Sequence, residues 1–271
     1  MAAARGTQRA AVLYGALLFS ALTLAAEPAR RSFVSCPMVR DTASVPCWLA
    51  EYEGETYFLT LQTDVSSPIT PPWLGHRVLV EGEVVDEPRV CGGVVLKPVR
   101  LSVLPELDPA CNRILPAEER YNLTFEPPRP PGPSKGRLAF DNAGGGRPRP
   151  APAAAPATGV REFVVPYDFD GMVGFSHPRY LRPVLDYAVA SKARRVEIVG
   201  YRGAALLSNG QVLQENPAIG RRRAEQVAML LKSTELSSPD VEFTVRWQDA
   251  PPVTGNDDYQ SRRVVVTIHP R

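Results

Sequence analysis

The sequence predicts two folded parts of different class. The first is a small all-β unit, and the second is an α/β two-layer sandwich of β-α-β-α-β-β order. Three observations support this. Residues 33–125 carry short runs of alternating apolar and polar residues without a helical period. Residues 160–271 interleave such runs with two segments of 3.6-residue periodicity. Between them, residues 126–159 hold nine of the 28 prolines and show neither period. A length of 271 residues allows about two domains. A hydrophobic share of 44% is enough to bury real cores, which excludes wholesale disorder.

In the first part, Cys47–Thr60 alternates around Gly54 and reads as a hairpin. Arg77–Val85 alternates as a half-buried strand does, and Cys91-Gly92-Gly93 supplies a turn. Val94–Leu104 is strand-like but interrupted by Pro98, which suggests an edge or a bulge. A five-stranded OB-like barrel fits this strand count. Trp48, Tyr52, Tyr57, Phe58 and Trp73 suit core or rim positions. All four cysteines, Cys36, Cys47, Cys91 and Cys111, fall in this part. An even count in an exported chain favours two disulfides, with three pairings open. Intervening lengths of 10, 43 and 19 residues contain no C-x-x-C pair, so no metal site is expected.

Export is read from residues 1–26. Arg5 and Arg9 precede an apolar run from Ala10 to Ala26, with Ala25 and Ala26 before the polar Glu27. This is the layout of a signal peptide, and an uncleaved run of this length is at the short limit for a membrane anchor. The expected location is therefore the periplasm or cell envelope. The chain carries net charge +2, and residues 1–26 contribute two arginines and no acid. The remainder is neutral, without the concentrated positive field that nucleic-acid binding wants. The proline-rich stretch 126–159 reads as a linker holding the two parts apart.

In the second part, Arg161–Phe169 reads as a strand, and Ser176-His177-Pro178 as a helix start with Ser as cap. Leu181, Val184, Leu185, Ala188 and Val189 form the buried stripe of that helix. Arg195–Tyr201 is the next strand. Asn216-Pro217 then opens a second helix, with Ala224, Val227, Ala228 and Leu231 as its apolar positions. Strands at Val241–Trp247 and Arg263–His269 complete the order.

Tyr167-Asp168-Phe169-Asp170, Gly200-Tyr201, the run from Asn216 to Val227 and Ser261-Arg262-Arg263-Val264 together make residues 161–269 resemble the OmpA-like peptidoglycan-binding domain family. Tyr167-Asp168-Phe169-Asp170 matches the family's opening Phe-Asp-Phe-Asp type motif, and Gly200-Tyr201 the start of its Gly-His/Tyr-Thr-Asp signature. Asn216 to Val227 keeps the spacing of Asn-x-x-Leu-Ser-x-x-Arg-Ala-x-x-Val, and Ser261-Arg262-Arg263-Val264 that of Asn-Arg-Arg-Val. The resemblance implies a ligand site for the diaminopimelate of a stem peptide, including Arg223, Asn216, Gly203 and Tyr201. Arg223 takes the position of the carboxylate-clamping arginine, whose planar guanidinium suits bidentate contact. Gly203 takes the position of the aspartate that pairs with the ligand amine, so that partner is missing. Glu215, Asp257 or Asp258 could supply a substitute.

The implied function is a non-enzymatic envelope protein that docks non-covalently on peptidoglycan. Its competitor is an assembly scaffold whose OmpA-like part no longer binds the polymer. In either case the N-terminal part is expected to contact other envelope proteins. His76, His177 and His269 are too scattered for a zinc cluster, and no nucleophile elbow, P-loop or H-E-x-x-H is present. Neither an enzyme nor a cofactor is expected.

Overall fold

The computed structural model describes residues 29–62, 71–121, 123, 158–172, 177–255 and 257–271. The expected signal segment 1–26, the linker as far as residue 157 and the capping Ser176 lie outside the described residues.

The first part contains eight strands in two sheets. Strands β1 (Arg30–Ser35), β5 (His76–Glu83) and β7 (Arg100–Leu107) form an antiparallel three-stranded sheet in the order β1-β5-β7. Strands β2 (Pro37–Thr42), β3 (Cys47–Tyr52), β4 (Glu55–Leu61), β6 (Val94–Val95) and β8 (Arg113–Glu118) form the second sheet, ordered β6-β4-β3-β2-β8. The expected hairpin is β3–β4, turned by Glu53 and Gly54 at φ of 50° and 78°. Phe33, Trp48, Ala50, Tyr57, Leu59, Val78, Val80 and Leu101 fill the space between the sheets. Trp73, by contrast, is exposed.

The OB-like barrel is corrected: among the described residues the two sheets do not close on one another. The count was short because β1 and β8 escape the pattern. β1 begins before residue 33, and β8 has no buried position to mark an apolar alternation. Around Pro98, which follows a cis peptide bond, the run splits into β6 and β7 instead of crossing the sheet as one strand. The disulfides pair Cys36 with Cys111 and Cys47 with Cys91. Cys36, Asp108 and Cys111 group as metal ligands would, but the two sulfurs are bonded to each other.

The second part has the predicted order, with one addition. Strands β9 (Arg161–Pro166), β10 (Arg195–Arg202), β13 (Glu242–Asp249) and β14 (Arg263–His269) form a sheet ordered β13-β10-β14-β9. β10 and β13 run parallel, and the other pairs are antiparallel. Helices α1 (Pro178–Ala190) and α2 (Ile219–Lys232) cover one face. Val196, Ile198, Val264, Val266 and Ile268 point from the sheet into the helix layer, each residue two along from the last as a strand requires. α2 buries Ala224, Val227, Ala228 and Leu231 as its period demands. In α1, Val184 and Ala188 are buried, Leu181 and Leu185 partly so, and Val189 lies exposed at the stripe's margin, a correction to the expected face. α2 comes very close to β10: a Cβ on Gly200 would lie 2.0 Å from the carbonyl oxygen of Gly220. The addition is a hairpin of β11 (Ala204–Leu206) and β12 (Val212–Gln214), built from the long loop ahead of α2.

The expectation that the linker holds the two parts apart is also corrected. Leu79 and Leu104 of the first part bury against Phe169 and Ala205 of the second, with Val34, Leu207 and Leu213 packed around them. Ser208 Oγ accepts from the Ser32 amide at 2.9 Å, and Ser102 Oγ accepts from the Phe169 amide at 3.0 Å. Arg100 lies over the ring of Tyr259 at 3.4 Å. In the middle of this contact Arg262, 1% exposed, donates to both carboxylate oxygens of Glu81 at 2.6 and 2.7 Å. Leu79 on β5, Leu104 on β7 and Ala205 on the β11–β12 hairpin are buried in this contact, which gives hydrophobic burial a reason to bring the parts together.

Candidate functional site

The site expected from the family motifs is centred on Arg223. One turn into α2, its side chain leans back toward the helix N-terminus, as helical geometry directs. It reaches the loops that follow β9 and β10. Arg223 is fully buried. Its Nε donates to the Gly171 carbonyl at 2.8 Å, and Nη2 donates to the Asp168 carbonyl at 2.9 Å. Nη1 reaches the Tyr201 carbonyl at 3.4 Å. The remaining donors go to Glu215: Nη1 to Oε2 at 3.0 Å and Nη2 to Oε1 at 2.6 Å. A guanidinium has five N–H donors, and this accounts for all of them. The ring of Tyr167 lies beneath it, 4.7 Å from centroid to Cζ. Burial pushes the Tyr167 phenol well above its usual pKa, and its hydroxyl has no hydrogen-bond partner among the described residues.

Glu215 is 1% exposed and closes the β11–β12 hairpin just before α2. Besides the two contacts from Arg223, its Oε1 accepts from the Asp170 amide at 2.8 Å and its Oε2 from the Gly203 amide at 2.7 Å. Both oxygens therefore accept two hydrogen bonds each, in the bidentate geometry that an arginine offers a carboxylate. Of the three acids considered as substitutes, Glu215 alone reaches Arg223 among the described contacts. Asp258 instead accepts from the amides of Leu206, Thr254 and Gly255, and Asp257 holds a left-handed turn at φ 57°.

The other expected residues occupy distinct places. Gly203 is buried, and its amide belongs to the Glu215 cradle. A Cβ there would fall 2.5 Å from Ser261 Oγ and 2.7 Å from Arg262 Cγ, so an aspartate at this position would force these side chains to shift. Tyr201 contributes only its carbonyl. Its ring lies on the outer sheet face near the Arg263 guanidinium, 5.1 Å away, because it is one residue out of phase with core-facing Gly200. Asn216 is exposed; its amide donates to Asp170 Oδ1 at 2.7 Å. Its Oδ1 accepts from the Ala218 amide at 2.9 Å, which makes a turn ahead of the helix. The helix itself starts two residues later than expected, without a side-chain cap. Asp170, half-buried, has its carboxyl raised above the usual range mainly by desolvation, with neighbouring Glu215 adding to the rise and the Asn216 amide opposing it.

A groove of about 510 Å³ lies beside the pair, lined by Arg202, Gly203, Gln214, Asp249 and residues 251–253. Neither Arg223 nor Glu215 lines it. The residue missed by motif matching is Glu81, whose partnership with Arg262 spans 181 residues. A short-range signal could not have found it. The arginine of the Ser-Arg-Arg-Val run was visible, but its partner was not.

Three solved structures are similar to about two-fifths of the chain, at low identity. The OmpA-like domain of FopA1 from Francisella tularensis is 12% identical, covering 41% of this chain and 76% of that one at a TM-score of 0.30. A putative MotB-like protein from Desulfovibrio vulgaris is 15% identical over 42% and 77%, at 0.33. The cell wall anchor of the T6SS from Pseudomonas aeruginosa is 20% identical over 36% and 70%, at 0.28. No protein-family profile matches the chain, and no curated protein matches it.

Among the described residues, no helix is long and apolar enough to cross a membrane.

Proposed function

We propose that this chain is a non-enzymatic cell-envelope protein that works as an assembly scaffold, with the carboxylate clamp of its OmpA-like part turned into an internal joint. The observation that carries this is the Arg223–Glu215 pair, both side chains 0% exposed, with every guanidinium donor spent inside the chain. A ligand carboxylate would have to displace one that is held by four hydrogen bonds. The packing of the two parts through Glu81 and Arg262 supports a fixed composite surface for other envelope proteins. The two disulfides support an oxidising compartment such as the periplasm.

The second reading is non-covalent docking on peptidoglycan. What favours it is that Glu215 presents to Arg223 the group a diaminopimelate carboxylate would present, so the recognition chemistry itself is retained. Sedimentation of the full chain with purified sacculi separates the two. The scaffold reading expects the wild-type chain to stay in the supernatant. Retention that free diaminopimelate competes away would overturn it in favour of docking.

A further inference from the structure

The four-stranded sheet of the second part ends on β13, an eight-residue strand with β10 on one side and, among the described residues, no strand on the other. An open edge presents a row of unpaired backbone donors and acceptors, and proteins usually shorten or cover such edges. Here apolar groups lie beside it: Trp247 is 52% and Met229 61% exposed. Between β13 and α2 runs a groove of about 530 Å³, lined by Glu225, Ala228, Met229, Lys232, Ser233 and Val245.

The charges on this edge are arranged symmetrically. Phe243 and Val245 face the helix layer, so Glu242, Thr244 and Arg246 share the opposite face. Neither Glu242 nor Arg246 forms an ion pair among the described residues, although most other arginines here do. Two copies of β13 placed antiparallel about Thr244 set Glu242 of each opposite Arg246 of the other. A shift of two residues in either direction sets one of these charges against Thr244 instead. A shift of one residue turns the helices of the two copies to opposite faces.

The helix repeats the pattern. Glu225 and Lys232 flank Ala228 and Met229, so an antiparallel α2 from a second copy puts Glu225 opposite Lys232 of the other. Glu225 already holds Arg221 at 3.1 Å, and Lys232 lies 5.0 Å from the Phe243 ring, which keeps both at the groove margin. The two centres fall at one level of the sheet, since Val245, Ala228 and Met229 line the same groove. One two-fold axis therefore satisfies strand and helix together and covers Met229.

We propose that a second copy of this chain docks on the β13 edge, extending the sheet antiparallel about Thr244. This deepens the assembly reading by naming its partner, and it is read out independently of sacculus retention. The test is Thr244→Cys in the full chain, oxidised and run on a non-reducing gel. Thr244 lies on the axis, where facing Cβ atoms approach to about 5 Å. The four native cysteines are all disulfide-bonded and leave no competing thiol. A dimer band is expected from Thr244→Cys and none from Gln248→Cys, whose copies would stand roughly 26 Å apart along the strands. Glu242→Arg or Arg246→Glu alone should lower cross-linking about five-fold, and the two together should restore it. The proposal is overturned if Thr244→Cys gives no dimer in a chain that melts like the wild type. Equal cross-linking from Gln248→Cys, or indifference to the charge reversals, overturns it as well.

Discussion

Replacing Glu215 with alanine is the sharpest test of the Arg223 joint. In the folded chain the carboxylate accepts four hydrogen bonds, from Arg223 Nη1 and Nη2 and from the amides of Asp170 and Gly203. Alanine leaves the Arg223 charge buried with backbone carbonyls and the Tyr167 ring but no counter-charge from Glu215, and strands two amides as well. Breaking a buried pair from one side costs about 3–5 kcal/mol. In a chain of this size that corresponds to a fall in Tm of roughly 6–20 °C. Glu215→Gln keeps the volume and some acceptor capacity, and should fall between alanine and wild type. The double variant Glu215→Leu/Arg223→Met should recover most of the loss, because removing both charges also removes the desolvation they carry. Thermal unfolding followed by circular dichroism reads all three. A loss below about 1 kcal/mol for Glu215→Ala would refute the reasoning, since it would mean that the guanidinium finds water or another partner without cost.

Three further outcomes follow from the same geometry. Gly203→Asp should destabilise the chain by about 1–3 kcal/mol in chemical denaturation, since its Cβ would sit 2.5 Å from Ser261 Oγ. Across the contact between the two parts, Arg262→Ala and Glu81→Ala should each lower stability by about 3–5 kcal/mol, while the double variant costs clearly less than their sum in a double-mutant cycle. Asp170→Asn should stabilise the chain at neutral pH and not at acid pH. The folded Asp170 pKa is raised above its unfolded value. The native state therefore binds the proton more tightly, and its ionisation destabilises the fold once pH rises through the folded pKa. The difference in Tm between variant and wild type, followed from acid to neutral pH, should grow with pH; a flat difference would contradict this.

Much of the second part is legible along the chain. The α2 stripe Ala224, Val227, Ala228 and Leu231, and the alternation through Arg263–His269, need only the period of one element, and the structure buries those residues. The lean of Arg223 toward Tyr201 follows from side-chain direction in a helix. The first part was less legible, because β8 carries no buried side chain and β1 runs up against β2 across a single residue. Patterns of alternation mark half-buried strands, and these edges offered little to alternate.

Read along the chain alone, the second part yields its four sheet strands and two helices but not the β11–β12 hairpin, together with its buried stripes and the arginine at position 223. Each of these depends on residues a few positions apart on one element. What that arginine touches is set by packing. Glu215 is eight residues away in sequence, but a hairpin sets its position. Arg262 finds Glu81 across 181 residues. A buried charge needs a counter-charge at hydrogen-bond distance, and which one comes within reach depends on how the elements pack.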